Sequence, residues 1–592
     1  MPDQERTTTS PSGPTRPRPR LRSSGWFAGF SESAVHHRAA LRPVGITIRP
    51  DDDRPVIGIT GSSGDINGCN AMLPTLVEAV ATGVREAGGI PMTFPTMTLG
   101  EDLLKPSAML QRNLMAMEVE ECLRGYPFDG VVLLGDCDKT VPALLMGAAS
   151  ADLPAIMLTG GQRRPGLFRG EQVGAGTDLW RYSDMRRAGL LDDASWAELE
   201  GALGCSIGGC NVMGTASTMA AVTEALGMQL PGASSLPVDD PRLIEAAVES
   251  GRRAVALVRD DLRPSAILVP DAFDDAIAVL AALGGSTNAV IHLCAIAGRR
   301  GIPLPLERFD TIGRGMPLIA DLLPSGRHLM HRYDEAGGLP TLLREIVDLL
   351  RPDRPTVTGR TMRAAIEAAR PTDGTVIRRR SDPLHPTGGL AVVRGSLAPD
   401  GAILKRSAAS PSLLRHRGPS LVFDDYAEML LRVEDPELPV TADSVLILRG
   451  VGPVGVPGMP EWGMIPVPRR LLDQGVSDVV RISDGRMSGT SYGTCILHVA
   501  PESAIGGPLA LVQDGDIVHL DTEAGVLDLE VPEHVMAARR AAWQPPAPRH
   551  LRGWARLYAE HVLQAPEGCD LDILVPREPA ALQRVEPTVG RS

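Results

Sequence analysis

Asp129-Gly130-Val131-Val132-Leu133-Leu134-Gly135-Asp136-Cys137-Asp138-Lys139 decides how this 592-residue chain folds. An unbroken apolar run from Val131 to Leu134, closed by glycine, reads as a strand buried on both faces. The flanking stretches keep the same rhythm. Pro55-Val56-Ile57-Gly58-Ile59-Thr60 reads as a strand, Leu73 to Ala87 as a helix closed by Gly88-Gly89, Ala143 to Ala151 as a helix, and Ala155-Ile156-Met157-Leu158 as a strand ending at Gly160-Gly161. This alternation predicts an α/β domain, a parallel sheet with helices on both faces. Sites in such sheets gather at the carboxyl ends of strands. The loops carrying Cys69 and Cys137 both follow predicted strands.

Further along, residues 215–370 read mostly as helix, for example Ala216 to Leu226, Pro241 to Val258 and Asp274 to Ala297. From Gly388 the texture changes to short β-like runs broken by Gly, Pro and Asp. Gly388 to Val393, Ser444 to Leu448, Val479 to Ile482, Leu509 to Val512 and Val526 to Val531 are the clearest. Many short strands with turn signals predict a C-terminal β-barrel-like domain. The expected organisation is a largely disordered tail and lead-in over 1–50, an α/β domain over 51–380, a barrel-like domain over 388–577 and a flexible tail over 578–592.

The net charge of −13 and pI near 5.5 argue against nucleic acid or an anionic membrane as partner. No apolar run approaches the ~20 residues that span a bilayer. The first 25 residues are rich in Pro, Ser, Thr and Arg and lack the apolar core of a secretory signal, and Asp3 and Glu5 disfavour a transit peptide. Eight scattered cysteines have no disulfide-framework density, so a reducing, cytoplasmic setting is expected.

Three cysteines stand on glycine- or asparagine-flanked loops: Gly68-Cys69-Asn70, Asp136-Cys137-Asp138 and Gly209-Cys210-Asn211. Their spacing has no zinc-finger rhythm. Three thiolates can hold an iron–sulfur cluster with one iron open to substrate, though lone cysteines also serve as buried hydrophobes. Cys205 and Cys210 form a rival C-x4-C pair. Lys139 is one of only three lysines among 59 basic residues, with Lys105 and Lys405. Unlike arginine, a lysine amine can lose its proton and be modified. Asp138 also suits a helix N-cap before Pro142-Ala143.

Several longer motifs carry a resemblance. They are Arg112-Asn113-Leu114-Met115, the Asp129–Lys139 stretch, Met213-Gly214-Thr215-Ala216-Ser217-Thr218-Met219 and Gly284-Gly285-Ser286-Thr287-Asn288. The C-terminal half adds Gly452-Pro453-Val454-Gly455, Pro457-Gly458-Met459-Pro460-Glu461, Asp484-Gly485-Arg486-Met487-Ser488-Gly489-Thr490 and His498-Val499-Ala500-Pro501-Glu502. From about Leu21 to Arg577 the chain resembles the dihydroxy-acid dehydratase and phosphogluconate dehydratase family, especially its sugar-acid branch, the pentonate dehydratases.

The resemblance implies that Cys69, Cys137 and Cys210 hold an iron–sulfur cluster, [2Fe–2S] rather than [4Fe–4S]. It implies Mg²⁺ held by Glu101, Asp138, Glu461 and a carbamylated Lys139. It makes Ser488 the general base and places Thr490 and His498 at the substrate. It implies a hydro-lyase converting a 2,3-dihydroxy acid to a 2-keto-3-deoxy acid, with an aldonic sugar acid as substrate and a branched-chain dihydroxy acid as runner-up. A homodimer or homotetramer is expected.

The chain departs from the family pattern at three places. Ser62-Ser63-Gly64-Asp65 replaces a Thr-Trp-Ser-type segment, Met72 stands where a histidine is frequent, and Asp136 replaces a glycine. The first two are expected to face substrate. The third would add a carboxylate that disfavours cluster reduction. Rival readings are a non-catalytic sugar-acid-binding paralogue and a zinc or redox sensor built on Cys205 and Cys210. A dinucleotide-binding enzyme is disfavoured because no Gly-rich fingerprint follows the first strand.

Overall fold

The computed structural model describes residues 20–578 apart from Gly463, together with 582, 583 and 585–590. β1 (Val56–Gly61), β2 (Ile90–Pro95), β3 (Gly130–Leu134) and β4 (Ala155–Leu158) form a parallel sheet in the order β2-β1-β3-β4. Every residue of β3 and β4 is buried. Successive strand side chains point to opposite faces, so such a strand must be covered on both. The helices Leu73–Glu86 and Pro241–Asp260 pack on each other, as do Met109–Gly125 and Thr140–Ala151. Leu73, Leu76, Val80 and Val84 put one apolar stripe of the first helix into the core, and Pro74 sits in its first turn, where no N–H is needed.

The lead-in differs from expectation. Residues 1–19 lie outside the described residues, but Phe27 and Ile48 of the lead-in are buried in the core of the α/β half, with Leu21, Trp26, Leu41 and Ile46 partly buried against it. The Asp129 carboxylate accepts the N–H groups of Ser23 at 2.9 Å and Val56 at 2.7 Å, and Phe27 is buried. One carboxylate thereby pins the lead-in beside the first strand. The chain also inserts an unanticipated hairpin, β5 (Gly166–Phe168) with β6 (Glu171–Val173), and the helices Thr177–Arg187 and Asp193–Leu203, around a small core of Phe168, Val173, Tyr182 and Leu199.

The helix expected from Asp274 to Ala297 is two helices, Pro270–Leu283 and Asn288–Arg299. Gly284, at φ +60°, ends the first in a left-handed conformation that glycine adopts without strain. The break delivers Ser286 and Asn288 to the site described below.

β7 (Ala391–Val393), β8 (Gly401–Leu404), β9 (Arg415–Phe423), β10 (Val445–Leu448), β11 (Val480–Ser483), β12 (Cys495–Ala500), β13 (Ile517–Asp521) and β14 (Val526–Leu529) make the second sheet. Its order is β14-β13-β9-β10-β11-β12-β8-β7, with a parallel centre from β9 to β12. A bridge between Arg394 and Val526 brings the two edges together, with Leu527 N–H donating to Arg394 O at 2.7 Å. The sheet is thus a nearly closed barrel around Val393, Leu404, Ile447, Ile482 and Ile496. Leu509 to Val512, expected as a strand, lies instead at a 3₁₀ turn, Pro508–Leu511, opened by a proline with fixed φ and no N–H to give a ladder.

Candidate active site

Loops from both halves meet at a cavity of about 620 Å³ whose wall includes Cys69, Cys137, Cys210, Glu101, Asp138, Glu461, Ser488 and Thr490. Lys139 lies directly behind that wall, with no exposed side-chain surface. Of the expected site residues, only His498 stands apart. It is buried in β12 at φ +60°, among residues that do not line the cavity, and neither ring nitrogen has a hydrogen-bond partner. A larger cavity of about 760 Å³ lies under the 543–551 segment. It is walled mainly by proline, alanine and arginine and contains none of the cysteines, so the chemistry points to the smaller one.

The thiol side belongs wholly to the α/β half. Cys69 sits in a 3₁₀ turn, Gly68–Asn70, beyond β1. Asn70 Oδ1 accepts the N–H groups of Asp136 at 3.0 Å and Cys137 at 3.2 Å, stitching the first cysteine loop to the second. The third is laced to the end of β4, since Gly209 N–H donates to Gly161 O at 2.9 Å and Arg163 N–H to Gly209 O at 2.9 Å. The Arg163 guanidinium reaches Cys69 Sγ at 3.7 Å. A hydrogen bond with Cys69, then burial, pushes the Cys137 thiol well above its ordinary value, and burial pushes Cys210 up to about 12. These two thiols therefore stay protonated until a cation takes the proton's place. Cys205 is exposed and bonds the Arg164 carbonyl at 3.5 Å, away from the cavity, which separates it from Cys210.

Two of the departures resolve. Met72 is partly buried against the apolar core of the α/β half and does not line the cavity. Asp136 is buried behind the thiol loops, and burial pushes its carboxyl up to about 8. At neutral pH it holds a proton, so it does not add the negative charge expected from sequence.

The opposite side is charged and is built by both halves. Lys139 Nζ lies 2.8 Å from Glu461, 3.3 Å from Glu101 and 3.4 Å from Asp138. Burial opposes the ammonium, but Glu101 and Glu461 outweigh it and hold Lys139 above its ordinary value. Burial raises the Glu461 carboxyl, but Lys139 and Arg486 pull it below its usual range, with hydrogen bonds from Lys139 and Ser488 assisting. Burial pushes Asp138 up to about 6, against the pull of Lys139. Arg486 Nη1 donates to Glu461 at 2.7 Å and Nη2 to Ser107 Oγ at 2.9 Å, while Asn288 Nδ2 donates to Glu461 at 2.9 Å. Arg486, Asn288, Ser107 and Arg163 were not singled out from sequence as site residues. Arg486 and Asn288 lie inside quoted motifs, and Arg163 follows the glycines that end β4.

Ser488 lies between the two sides. Its Oγ is 2.8 Å from Thr490 Oγ1 and accepts the Thr490 N–H at 3.3 Å. Trp180 Nε1–H donates to Thr490 Oγ1 at 3.1 Å, which leaves the threonine hydrogen free to point at Ser488. The Thr490 N–H thus donates to the serine oxygen, and the two hydroxyls share a hydrogen bond in which either can donate; a donor on that oxygen is the arrangement that stabilises an alkoxide.

Residues 54–365 match the N-terminal domain family described as dihydroxy-acid/6-phosphogluconate dehydratase, and residues 375–569 match its C-terminal counterpart. The chain belongs to the dihydroxy-acid/6-phosphogluconate dehydratase family. It is 48% identical over 557 residues to a 6-deoxy-6-sulfo-D-gluconate dehydratase of Pseudomonas putida, covering 94% of this chain and 96% of that one. It is 48% identical over 567 residues to an L-arabonate dehydratase of Azospirillum brasilense, covering 94% and 97%. It is 46% identical over 557 residues to an L-arabinonate dehydratase of Rhizobium leguminosarum bv. trifolii, covering 94% and 96%. Within this dehydratase fold, no helix of the described residues is long and apolar enough to cross a membrane.

The donor sets suit the groups the family implies. Three free thiols with no disulfide partner share one wall. Among the described residues no three side chains converge closely enough for a bare ion. At the carboxylates that centre is taken by the Lys139 ammonium, which meets buried Glu101 Oε2 at 3.3 Å as an ion pair without hydrogen-bond geometry. A cation already sits where three carboxylates meet.

Proposed function

We propose that this protein eliminates water from an aldonic sugar acid to give a 2-keto-3-deoxy acid. The observation that carries the reading is Ser488, its oxygen accepting the Thr490 N–H, in one cavity with a three-thiol wall and a lysine–carboxylate cluster. The sugar-acid names of three relatives at 46–48% identity support the substrate class.

Cys69, Cys137 and Cys210 would hold an iron–sulfur cluster, [2Fe–2S] rather than [4Fe–4S]. Glu101, Asp138, Glu461 and a carbamylated Lys139 would hold Mg²⁺. Charge supports this set. Three carboxylates against the Lys139 ammonium and the Arg486 guanidinium leave one net negative charge. Carbamylation turns the singly positive ammonium into a singly negative carbamate, a change of two units of charge that Mg²⁺ offsets, so the buried balance is unchanged. When bound, the two groups supply Lewis acidity that acidifies the C2 proton and weakens the C3–oxygen bond.

The chain's own residues do the rest. Ser488 would act as its alkoxide: its own hydroxyl proton passes first towards the Glu461 carboxylate it hydrogen-bonds, the Thr490 N–H holds the negative charge left on Oγ, and that oxygen then takes the proton from C2. The electron pair of the C2–H bond forms the C2=C3 double bond as hydroxide leaves C3, and the enol tautomerises to the ketone. Arg486 and Asn288 fix the Glu461 carboxylate on the far side, and Arg163 supplies positive charge beside the thiols.

The test is anaerobic purification, a visible spectrum with iron and sulfide analysis, and an assay of 2-keto-3-deoxy acid formation with Mg²⁺. The substrate panel is C5 and C6 aldonic acids and 2,3-dihydroxyisovalerate. Turnover of an aldonic acid by a brown, sulfide-containing protein is expected. A protein that stays colourless and inactive after iron–sulfur reconstitution would overturn the reading, and turnover of dihydroxyisovalerate alone would replace the substrate class.

A further inference from the structure

Lys405 is the third of the chain's lysines, and the reaction outlined above does not use it. It follows β8 and is only 8% exposed. Among the described residues no carboxylate acts on it, and burial alone moves its ammonium down to about 7. Its hydrogen bond runs from Nζ to Gly489 O at 3.4 Å. That carbonyl belongs to the Gly489–Thr490 peptide, whose N–H donates to Ser488 Oγ at 3.3 Å. One peptide group therefore joins the lysine to the serine oxygen, with its acceptor end on Lys405 and its donor end on Ser488.

The peptide has little freedom to turn away. A Cβ on Gly489 would lie 2.6 Å from Ser286 Oγ and 2.8 Å from Thr215 N, so its Cα is wedged between two elements of the α/β half. Just past Lys405, Ala408 O accepts the Gly493 N–H at 2.7 Å, tying the lysine turn to the same serine loop. A donor on a peptide carbonyl polarises the group and strengthens its N–H as a donor, and the effect grows where water is excluded.

We infer that Lys405 is a positioning residue for Ser488: it anchors and polarises the Gly489–Thr490 peptide so that the Thr490 N–H stabilises the negative charge the serine oxygen must carry before it takes the substrate proton. The inference rests on the proposed role of Ser488 as base. It concerns the proton-transfer step and not substrate capture.

The experiment compares K405M, K405Q and S488A with the wild-type holoenzyme, using the aldonic acid turned over best and the same acid deuterated at C2. K405M should fold, keep its iron and Mg²⁺, leave KM within about threefold, lower kcat about ten- to a hundredfold and enlarge the C2-deuterium isotope effect. A loaded K405M with kcat within about twofold of wild type and an unchanged isotope effect would overturn the inference. If K405M does not fold, K405Q decides. It keeps an N–H donor without the charge, so a kcat loss of at least about fivefold with a larger isotope effect supports the inference, and wild-type kcat overturns it. S488A separates the two layers. If S488A abolishes turnover while K405M is unaffected, the base survives and Lys405 falls. If S488A keeps wild-type turnover, the base reading itself fails.

Discussion

The two walls of the cavity are built on opposite plans. All three thiols come from loops of the α/β half and are held by backbone hydrogen bonds and the Asn70 side chain, with Arg163 as the charged neighbour. The charged wall is shared. Lys139, Asp138 and Glu101 come from the α/β half, Glu461 and Arg486 from the barrel half, and the buried Lys139–Glu461 pair at 2.8 Å joins the two sets. The thiol side can be emptied without parting the halves, whereas the charged side is itself part of the joint.

The largest effect is expected at that joint. K139M leaves three carboxylates facing each other with Arg486 as the remaining cation, so it should destabilise the unloaded protein by about 3–5 kcal/mol in chemical denaturation. It should also lower turnover by about a thousandfold or more, since the amine is proposed as a metal ligand. A K139M protein as stable as wild type would erase the contrast between the walls. C69S sharpens it from the other side. It should lose iron and turnover, yet change the stability of the unloaded protein by less than about 1 kcal/mol, because Ser has only the thiol's weak contacts with Arg163 and Cys137 to replace.

The smallest effect belongs to His498, which the family pattern assigns to substrate and the structure buries behind the cavity. Burial holds its imidazole down at about 3. Below its ordinary value of 6.5 the unfolded chain takes up a proton that the folded chain refuses, so stability is lost as pH falls from 6.5 towards 3. H498N suits the positive φ at this site and should flatten the stability profile in that window. It should leave KM for the substrate within about threefold, and a much larger rise in KM would return His498 to the binding site.

Legibility in the sequence followed burial. β3 and β4 were readable because a strand covered on both faces leaves a solid apolar run. The α/β-then-barrel order was readable from the switch to short, turn-bounded runs. Three features were not. The break at Gly284-Gly285 hides inside an apolar periodicity that continues on both sides of it. The hairpin at 166–173 has little apolar content and pairs only with itself. Pro508 converts an apolar run into a turn. At the site, the loops with Cys69 and Cys137 announced themselves through their place after strands. Arg486, Asn288 and Lys405 act through contacts more than 80 residues away in the chain, such as Lys405 to Gly489 and Arg486 to Ser107, which no local pattern encodes.

A segment near the end of the chain closes the first domain. Arg112, fully buried in the Met109–Gly125 helix, donates to the carbonyls of Gly568 at 2.8 Å and Cys569 at 2.9 Å, and Arg299 pairs with Asp570 at 2.5 Å. During synthesis, the ribosome delivers these partners more than two hundred residues after the last strand of the α/β sheet. Until then Arg112 has only Asn113 and His292 to meet, and Arg299 only Glu120 and Ser150. The hydrogen bonding of these two buried guanidiniums in the N-terminal half is therefore completed only when the end of the chain arrives.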